Sequence, residues 1–185
     1  MNNLSPYYNL AREFATSTNR SIFLTGKAGT GKTTFLHKLK KDTKKQIAIV
    51  APTGVAAINA GGTTMHSFFQ LPFTPFIPTV EGRKELVEKI KMQGFRRKVI
   101  QELELLVIDE ISMVRADVLD AVDTILRHIR YKHNEPFGGV QVIFIGDMFQ
   151  LSPVAQDEEW RLLSKYYRSP YYLHTQVLAL QQPVY

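Results

Sequence analysis

No cysteine occurs among the 185 residues, which excludes disulfide staples and every zinc site built on thiolates. Long hydrophobic runs are missing too. Apolar stretches such as Leu105–Ile108 fall far short of the roughly 20 residues that cross a bilayer, so no membrane partner is expected. The amino terminus, Met1-Asn2-Asn3-Leu4-Ser5-Pro6, has neither the basic nor the apolar region of a secretion signal. The expected setting is therefore a reducing one, cytoplasmic or nucleoid-associated. No repeat, low-complexity tract or linker divides the chain, and its length fits one domain. Negative charge is the scarcer sign: 17 Asp and Glu stand against 23 Lys and Arg, a net charge of +6 that favours a polyanionic partner. The excess gathers at Lys38, Lys40, Lys41, Lys44 and Lys45 and again at Arg83, Lys84, Lys89, Lys91, Arg96, Arg97 and Lys98. Each group by itself reads as a solvated face before it reads as a nucleic-acid track.

The most informative stretch is Gly26-Lys27-Ala28-Gly29-Thr30-Gly31-Lys32-Thr33, directly after the apolar run Ile22-Phe23-Leu24. It fits the phosphate-loop pattern, in which backbone N–H groups cradle phosphates, the lysine reaches the β- and γ-phosphates and the threonine hydroxyl holds Mg2+. Ser21–Thr25 reads as a short buried strand before it. Thr33–Lys41, with Phe35, Leu36 and Leu39 at helical spacing, reads as the helix that follows.

Gln46–Ala51, Leu105–Asp109 and Val140–Ile145 are further apolar runs separated by helical patterns, which predicts an α/β fold with a parallel sheet covered on both faces. Helices are expected from Pro6, with Ser5 as cap, over Pro52–Ala60 closed by Gly61-Gly62, and over Ala116–Arg130. Two basic helices follow from Glu81–Gly94 and Phe95–Leu103, a further one from Asp157–Tyr167, and a last strand from Tyr171–Leu180. Between them, Pro72, Pro75 and Pro78 make Leu71–Val80 an extended loop. Its Phe73 and Phe76 either pack on the domain or contact DNA. His128 and His133, five apart, do not share a helical face, and no metal is assigned to them.

A strand buried on both faces delivers ligand-binding groups at its carboxyl end. There Asp109 would hold a hydrated Mg2+, and Glu110, pointing the other way on the strand, would orient or deprotonate the water that attacks a γ-phosphate. Gly146–Val154 follows the next strand, and Gln150 at that edge can hydrogen-bond a phosphate oxygen and report its presence to the following loop.

Gly26–Thr34, the run Ala51–Phe69 containing Thr53-Gly54 and Gly61-Gly62-Thr63-Thr64-Met65-His66, then Asp109-Glu110-Ile111-Ser112-Met113, then Gly146–Val154 stand in the order used by superfamily-one DNA helicases. Over residues 5–180 the chain resembles the PIF-type branch and its RecD-like relatives. That resemblance implies the first of two RecA-like domains, a three-layer phosphate-loop NTPase with a mostly parallel central sheet. It implies ATP and Mg2+ as cofactors, single-stranded DNA as partner, and movement five-prime to three-prime. It places the nucleotide on Gly26, Ala28, Gly29, Thr30, Gly31, Lys32, Thr33 and Thr34, the metal on Thr33 and Asp109, and catalysis on Lys32, Glu110 and Gln150. The same resemblance puts the Gln150 strand between the phosphate-loop and Asp109 strands. It lines the DNA path with Thr53, Gly54, Thr64 and His66, although a structural hydrogen bond is an equal reading of His66. Phe68 and Phe69 read as core.

Two departures matter. The family reads adenine through a Gln ahead of the first strand, and residues 1–25 contain none. The second RecA-like domain, the implied intramolecular partner, and its arginine motifs are also absent from these residues. The chain alone is expected to hydrolyse ATP slowly and not to unwind duplexes, since a trans-acting arginine is typically worth about 10³–10⁵ in turnover. A non-catalytic nucleotide-dependent binding module and a small-acceptor kinase are the competing readings. Glu110 and the long Thr53–Phe69 run speak against the kinase.

Overall fold

Alternate residues of each strand point to opposite faces of the sheet, which decides the layers. In the computed structural model, which describes residues 6–27, 29–92 and 94–167, five strands form one sheet: β1 (Ile22–Leu24), β2 (Ile47–Ala51), β3 (Thr63–Thr64), β4 (Leu105–Ile108) and β5 (Gln141–Ile145). Their order is β1-β5-β4-β2-β3, and every pairing is parallel. Ile49, Leu105, Val107, Ile143 and Ile145 enter one core with Ala11 and Ala15 of α1 (Pro6–Ser17) and Phe35, Leu36 and Leu39 of α2 (Lys32–Asp42). Val50, Leu106, Ile108, Val142 and Phe144 enter the other. There they meet α4 (Met65–Phe69), α5 (Val80–Lys89), α6 (Gly94–Glu102) and α7 (Ala116–Ile129). All of β4 is sealed from solvent, which is why Leu105–Ile108 is continuously apolar instead of alternating. α3 (Gly54–Ala60) bridges β2 to β3, and α8 (Asp157–Leu163) closes the described chain.

The amino-terminal margin of the sheet is stitched by Gln141. Its buried amide donates to the carbonyls of Phe14 (3.0 Å) and Arg20 (2.7 Å) and accepts from Lys45 Nζ (2.6 Å). A buried amide whose groups are paired in this way holds the ends of α1, β1 and the turn before β2 in one register.

The expected elements up to α8 appear in order, with β5 between β1 and β4, and β3 and α4 are additional to those the sequence predicts. Several bounds differ for local reasons. Thr53 caps α3 by accepting from Ala56 N (3.2 Å), so the helix opens at Gly54 instead of Pro52. The first basic helix ends at Lys89, because Ile90 and Met92 leave the helical path to pack on the core. α8 stops at Leu163, although Tyr167 still reaches the core. β4 ends at Ile108, so Asp109 and Glu110 do not point apart on a strand. Glu110 instead takes left-handed backbone (φ 51°, ψ 45°) and opens a tight 3-10 turn, Ile111–Met113. The strand expected over 171–180, Ser5 and Ala28 lie outside the described residues.

Candidate nucleotide site and the adjoining cleft

Parallel strands bring all their carboxyl ends to one margin, and the chain exits of β1, β5 and β4 lie side by side there. The exit of β1 is the phosphate loop. Gly31 caps α2 with φ 91° and Gly29 has φ 77°, conformations that a side chain at either position would strain. Lys32 extends across the loop, where its ammonium donates to the carbonyls of Gly26 and Lys27. Thr30 closes the turn, its hydroxyl donating to Lys27 O at 2.8 Å.

The exit of β4 supplies two acids. Asp109 Oδ1 accepts from the Glu110 amide (3.0 Å). Burial pushes the Asp109 carboxyl above the usual carboxylate range, opposed by that amide and by the Lys32 charge. Glu110 is raised as well, first by burial and then by Asp109 and Asp147, with Lys32 pulling the other way. A carboxyl whose affinity for a proton is raised in this way suits a group that takes a proton from water. The exit of β5 contributes Asp147, whose Oδ1 accepts from Phe149 N (3.1 Å) while its carbonyl accepts from Gln150 N (3.0 Å). That tight turn carries Gln150 back toward the loop.

A cleft of about 370 Å3 is the result, lined by Gly29, Gly31, Lys32, Thr33, Thr34, Glu110 and Gln150. It joins all three segments predicted from sequence to act on a nucleotide. Gly26, Thr30 and Asp109 do not line it: Gly26 and Thr30 take part in the hydrogen bonds that shape the loop, and Asp109 bonds the Glu110 amide. The Thr33 hydroxyl and the Asp109 carboxylate are oxygen donors, the chemistry that Mg2+ requires.

A second cleft, about 330 Å3, lies beyond the carboxyl ends of β2 and β3. Thr53, His66 and Phe73 line it, with Met65, Met113, Val114, Arg115, Val118, Ser152 and Val154. Thr53 and Thr64 are both helix caps, Thr64 Oγ1 accepting from Ser67 N at 3.2 Å. A capping hydroxyl accepts through its oxygen and keeps its proton to donate outward. Gly54 begins α3 directly after Thr53. His66 stacks on Phe73, ring centroids 5.3 Å apart and planes 9° from parallel. Burial and the Arg115 charge lower its pKa against the pull of Asp117, which leaves a neutral imidazole at neutral pH. The two loop phenylalanines part company: Phe76 is buried, whereas Phe73 is 87% exposed. Phe69 is core and Phe68 packs against it.

A further concavity, about 750 Å3 between α5 and α7, holds none of the predicted site residues. Its Asp123 and Arg127 pair at 2.7 Å. In the basic helices Lys84, Lys89 and Lys98 face Glu88, Glu85 and Glu102 one turn away, and Arg97 bonds Tyr131, in keeping with a solvated face.

Sequence reasoning missed Arg115, Asp117 and Glu159, which are joined by ion pairs of 2.8 Å. One signal was available: Asp117 falls on the apolar face of α7, where an unpaired carboxylate is too costly to bury.

A family model described as PIF1-like helicase matches residues 7–184. The chain belongs to the PIF1-like helicase family. It is 41% identical over 142 residues to the ATP-dependent DNA helicase PIF1 of Saccharomyces cerevisiae, covering 74% of this chain and 16% of that protein. To the helicase RRM3 of the same species it is 40% identical over 147 residues, covering 75% and 19%. A crystal structure of Pif1 helicase from Bacteroides in complex with ADP-AlF3 and single-stranded DNA is 43% identical, with a TM-score of 0.80 over 90% of this chain and 37% of that one. The chain thus spans less than a fifth of the curated PIF1-like relatives named here. Its sheet is that of a RecA-like domain, as in the PIF1-like structures. Among the described residues no helix is long and apolar enough to cross a membrane.

Proposed function

We propose that this chain is the nucleotide-binding RecA-like domain of a helicase that couples ATP hydrolysis to movement along single-stranded DNA and to duplex unwinding. The carrying observation is the single cleft that gathers Lys32, Thr33, Glu110 and Gln150 from the ends of three adjacent parallel strands. On this reading the amides of residues 29–34 and the Lys32 ammonium bind the phosphates. Thr33 and Asp109 hold Mg2+, which when bound neutralises phosphate charge. Glu110 orients the attacking water and accepts its proton, and Gln150 senses the γ-phosphate. The second cleft takes single-stranded DNA, with Thr53 toward phosphates and the His66–Phe73 stack toward a base, and Gly54 and Thr64, which do not line the cleft, continue the path beside it. A second RecA-like domain, outside these residues, completes the site by supplying arginine. Glu110 lines the same cleft as Lys32, Thr33 and Gln150, which favours a catalytic role over a purely nucleotide-gated binding module.

The test is ATP hydrolysis, with and without single-stranded DNA, by the protein that continues this chain at its carboxyl end. Lys32→Ala removes a charge-assisted phosphate contact worth about 1.5–3 kcal/mol and should weaken nucleotide binding roughly tenfold or more. Glu110→Gln should lower kcat by about 10²–10⁴ and leave nucleotide affinity in place. Turnover indifferent to DNA, or undiminished by Glu110→Gln, would sink the helicase reading; no turnover in any form favours the binding module.

A further inference from the structure

One largely buried guanidinium lines the second cleft and is bonded to segments that lead away from the first. Arg115 stands between the 3-10 turn that Glu110 opens and the start of α7, its side chain only 14% exposed. It grips Asp117 with both prongs, Nε to Oδ1 at 2.9 Å and a terminal nitrogen to Oδ2 at 2.8 Å. The other terminal nitrogen donates to Glu159 Oε2 at 2.8 Å. Each carboxylate also holds a backbone amide elsewhere. Asp117 Oδ2 accepts from Phe76 N at 3.1 Å, fixing the proline-spaced loop that carries Phe73 against His66. Glu159 Oε2 accepts from Gln156 N at 3.1 Å, closing the capping box at the start of α8, the helix that ends the Gln150 segment.

We infer that Arg115 is a positioning residue whose bridge to Glu159 couples occupancy of the phosphate-loop cleft to the grip on single-stranded DNA in the second cleft. This inference rests on the proposed function. Three segments meet at the guanidinium: the one leaving Glu110, the one leaving Gln150, and the loop bearing Phe73. A shift of either nucleotide-facing segment is passed to the Phe76 amide through Asp117. The two arms are unequal. Asp117 is fully buried and doubly bonded, whereas Glu159 is 26% exposed and held through one oxygen, so the Glu159 arm is the one that can exchange. Burial opposes the Arg115 charge, but the hydrogen bonds and charges of Asp117 and Glu159 outweigh it and keep the guanidinium charged. Glu159 in turn is held below its ordinary pKa: burial opposes this, but the Gln156 amide and Arg115 prevail. Replacing a buried ion cluster by apolar groups is often neutral for stability, so stability alone is a weak reason for such a cluster here.

Truncating Arg115 would strand the buried Asp117 charge and threaten the fold, so the test is made at Glu159. Glu159→Gln keeps an acceptor for the Gln156 amide and removes the charge that holds Arg115. The affinity of a fluorescein-labelled oligo-dT is measured with and without saturating magnesium AMP-PNP, for wild type and variant, beside a melting curve. In wild type the nucleotide should change DNA affinity about fivefold or more, within the usual range for coupled sites. In Glu159→Gln each ligand alone should bind within about twofold of wild type and melting should be unchanged, but the nucleotide effect on DNA should fall to within about twofold of none. A merely structural role would move melting or single-ligand affinities instead. Wild-type coupling in Glu159→Gln, or independent binding of the two ligands in wild type, overturns the inference and leaves the proposed function standing. Failure of wild type to bind either ligand overturns the proposed function itself.

Discussion

Alanine at Gly62 is the substitution whose effect the geometry fixes most closely. A Cβ built at Gly62 would lie 2.8 Å from the carbonyl carbon of Ile49 and 2.9 Å from its Cβ, with the Ile49 carbonyl oxygen nearer still. These are mostly backbone atoms of β2, which cannot rotate away, so the turn from α3 into β3 must move by about half an ångström or more. The ladder next to that shift is the pairing Val50↔Thr63 and Ala51↔Thr64. Overpacking of this kind costs about 3 kcal/mol, and for a chain of this size that lowers Tm by about 6–12 °C. The damage should be one-sided. β3 and the phosphate-loop strand β1 occupy opposite margins of the sheet. Binding of single-stranded DNA, which on the proposed function uses Thr64 and His66, should therefore weaken at temperatures well below the melt, while nucleotide affinity stays close to wild type. Differential scanning fluorimetry, nucleotide titration calorimetry and oligonucleotide anisotropy on the same preparation read all three quantities. A variant that melts within about 2 °C of wild type and binds DNA equally well would refute the close-approach reasoning.

Phe73→Ala should leave stability within about 0.5 kcal/mol, as for any exposed residue. It should weaken single-stranded DNA by about 1–3 kcal/mol, the loss of one stacked base, and an unchanged affinity would assign the ring to packing on His66 alone. Tyr167→Phe removes the hydroxyl that donates to Asp120 at 2.7 Å and should cost about 1–3 kcal/mol in urea unfolding. Asp120 itself has a raised pKa, from burial first and the Asp123 charge next, against the Tyr167 hydrogen bond and Arg83. The folded state thus holds this proton more tightly than the unfolded chain, and the stability that gives is lost as pH rises through the folded pKa. Asp120→Asn should therefore melt at or above the wild-type temperature at pH 7, with the gap closing as pH falls toward about 4; a gap that widens on acidification would reverse the assigned sign.

Local chemistry made part of this molecule readable before its structure. The phosphate loop is specified by glycines whose backbone angles only glycine adopts freely, and both Gly29 and Gly31 have them. The sheet was legible because a strand covered on both faces must be apolar throughout, as in Leu105–Ile108. The backbone at Glu110 was not legible. Its left-handed conformation is imposed by the 3-10 turn and by the neighbouring chain at Gly146, whose position a Cβ would bring within 3.1 Å of Ile111 N. Phe73 and Phe76 sit in one proline-spaced loop with no period to separate them; the bond from Phe76 N to Asp117 holds the loop where the Phe76 ring joins the core and the Phe73 ring stacks on His66. The Arg115 cluster links residues 76, 115, 117, 156 and 159, and beyond the place of Asp117 on the apolar face of α7 such long-range pairing leaves no trace in spacing.

The unequal ladders of the sheet also set how the domain bears a load. β4 pairs with β2 and with β5 over four residues each, β1 with β5 over three, and β3 with β2 over two. Tension applied at Thr64 and resisted at the phosphate loop runs across all of these ladders in series, so the shortest yields first. On the proposed function, a stalled strand of DNA would then peel β3 from β2 before disturbing the Leu105–Ile108 core, and releasing the tension would let the grip re-form on an intact domain. Extension in an optical trap, with handles at residues 24 and 64, should show this as a small reversible step ahead of the main rupture; a single rupture would place the weak link elsewhere.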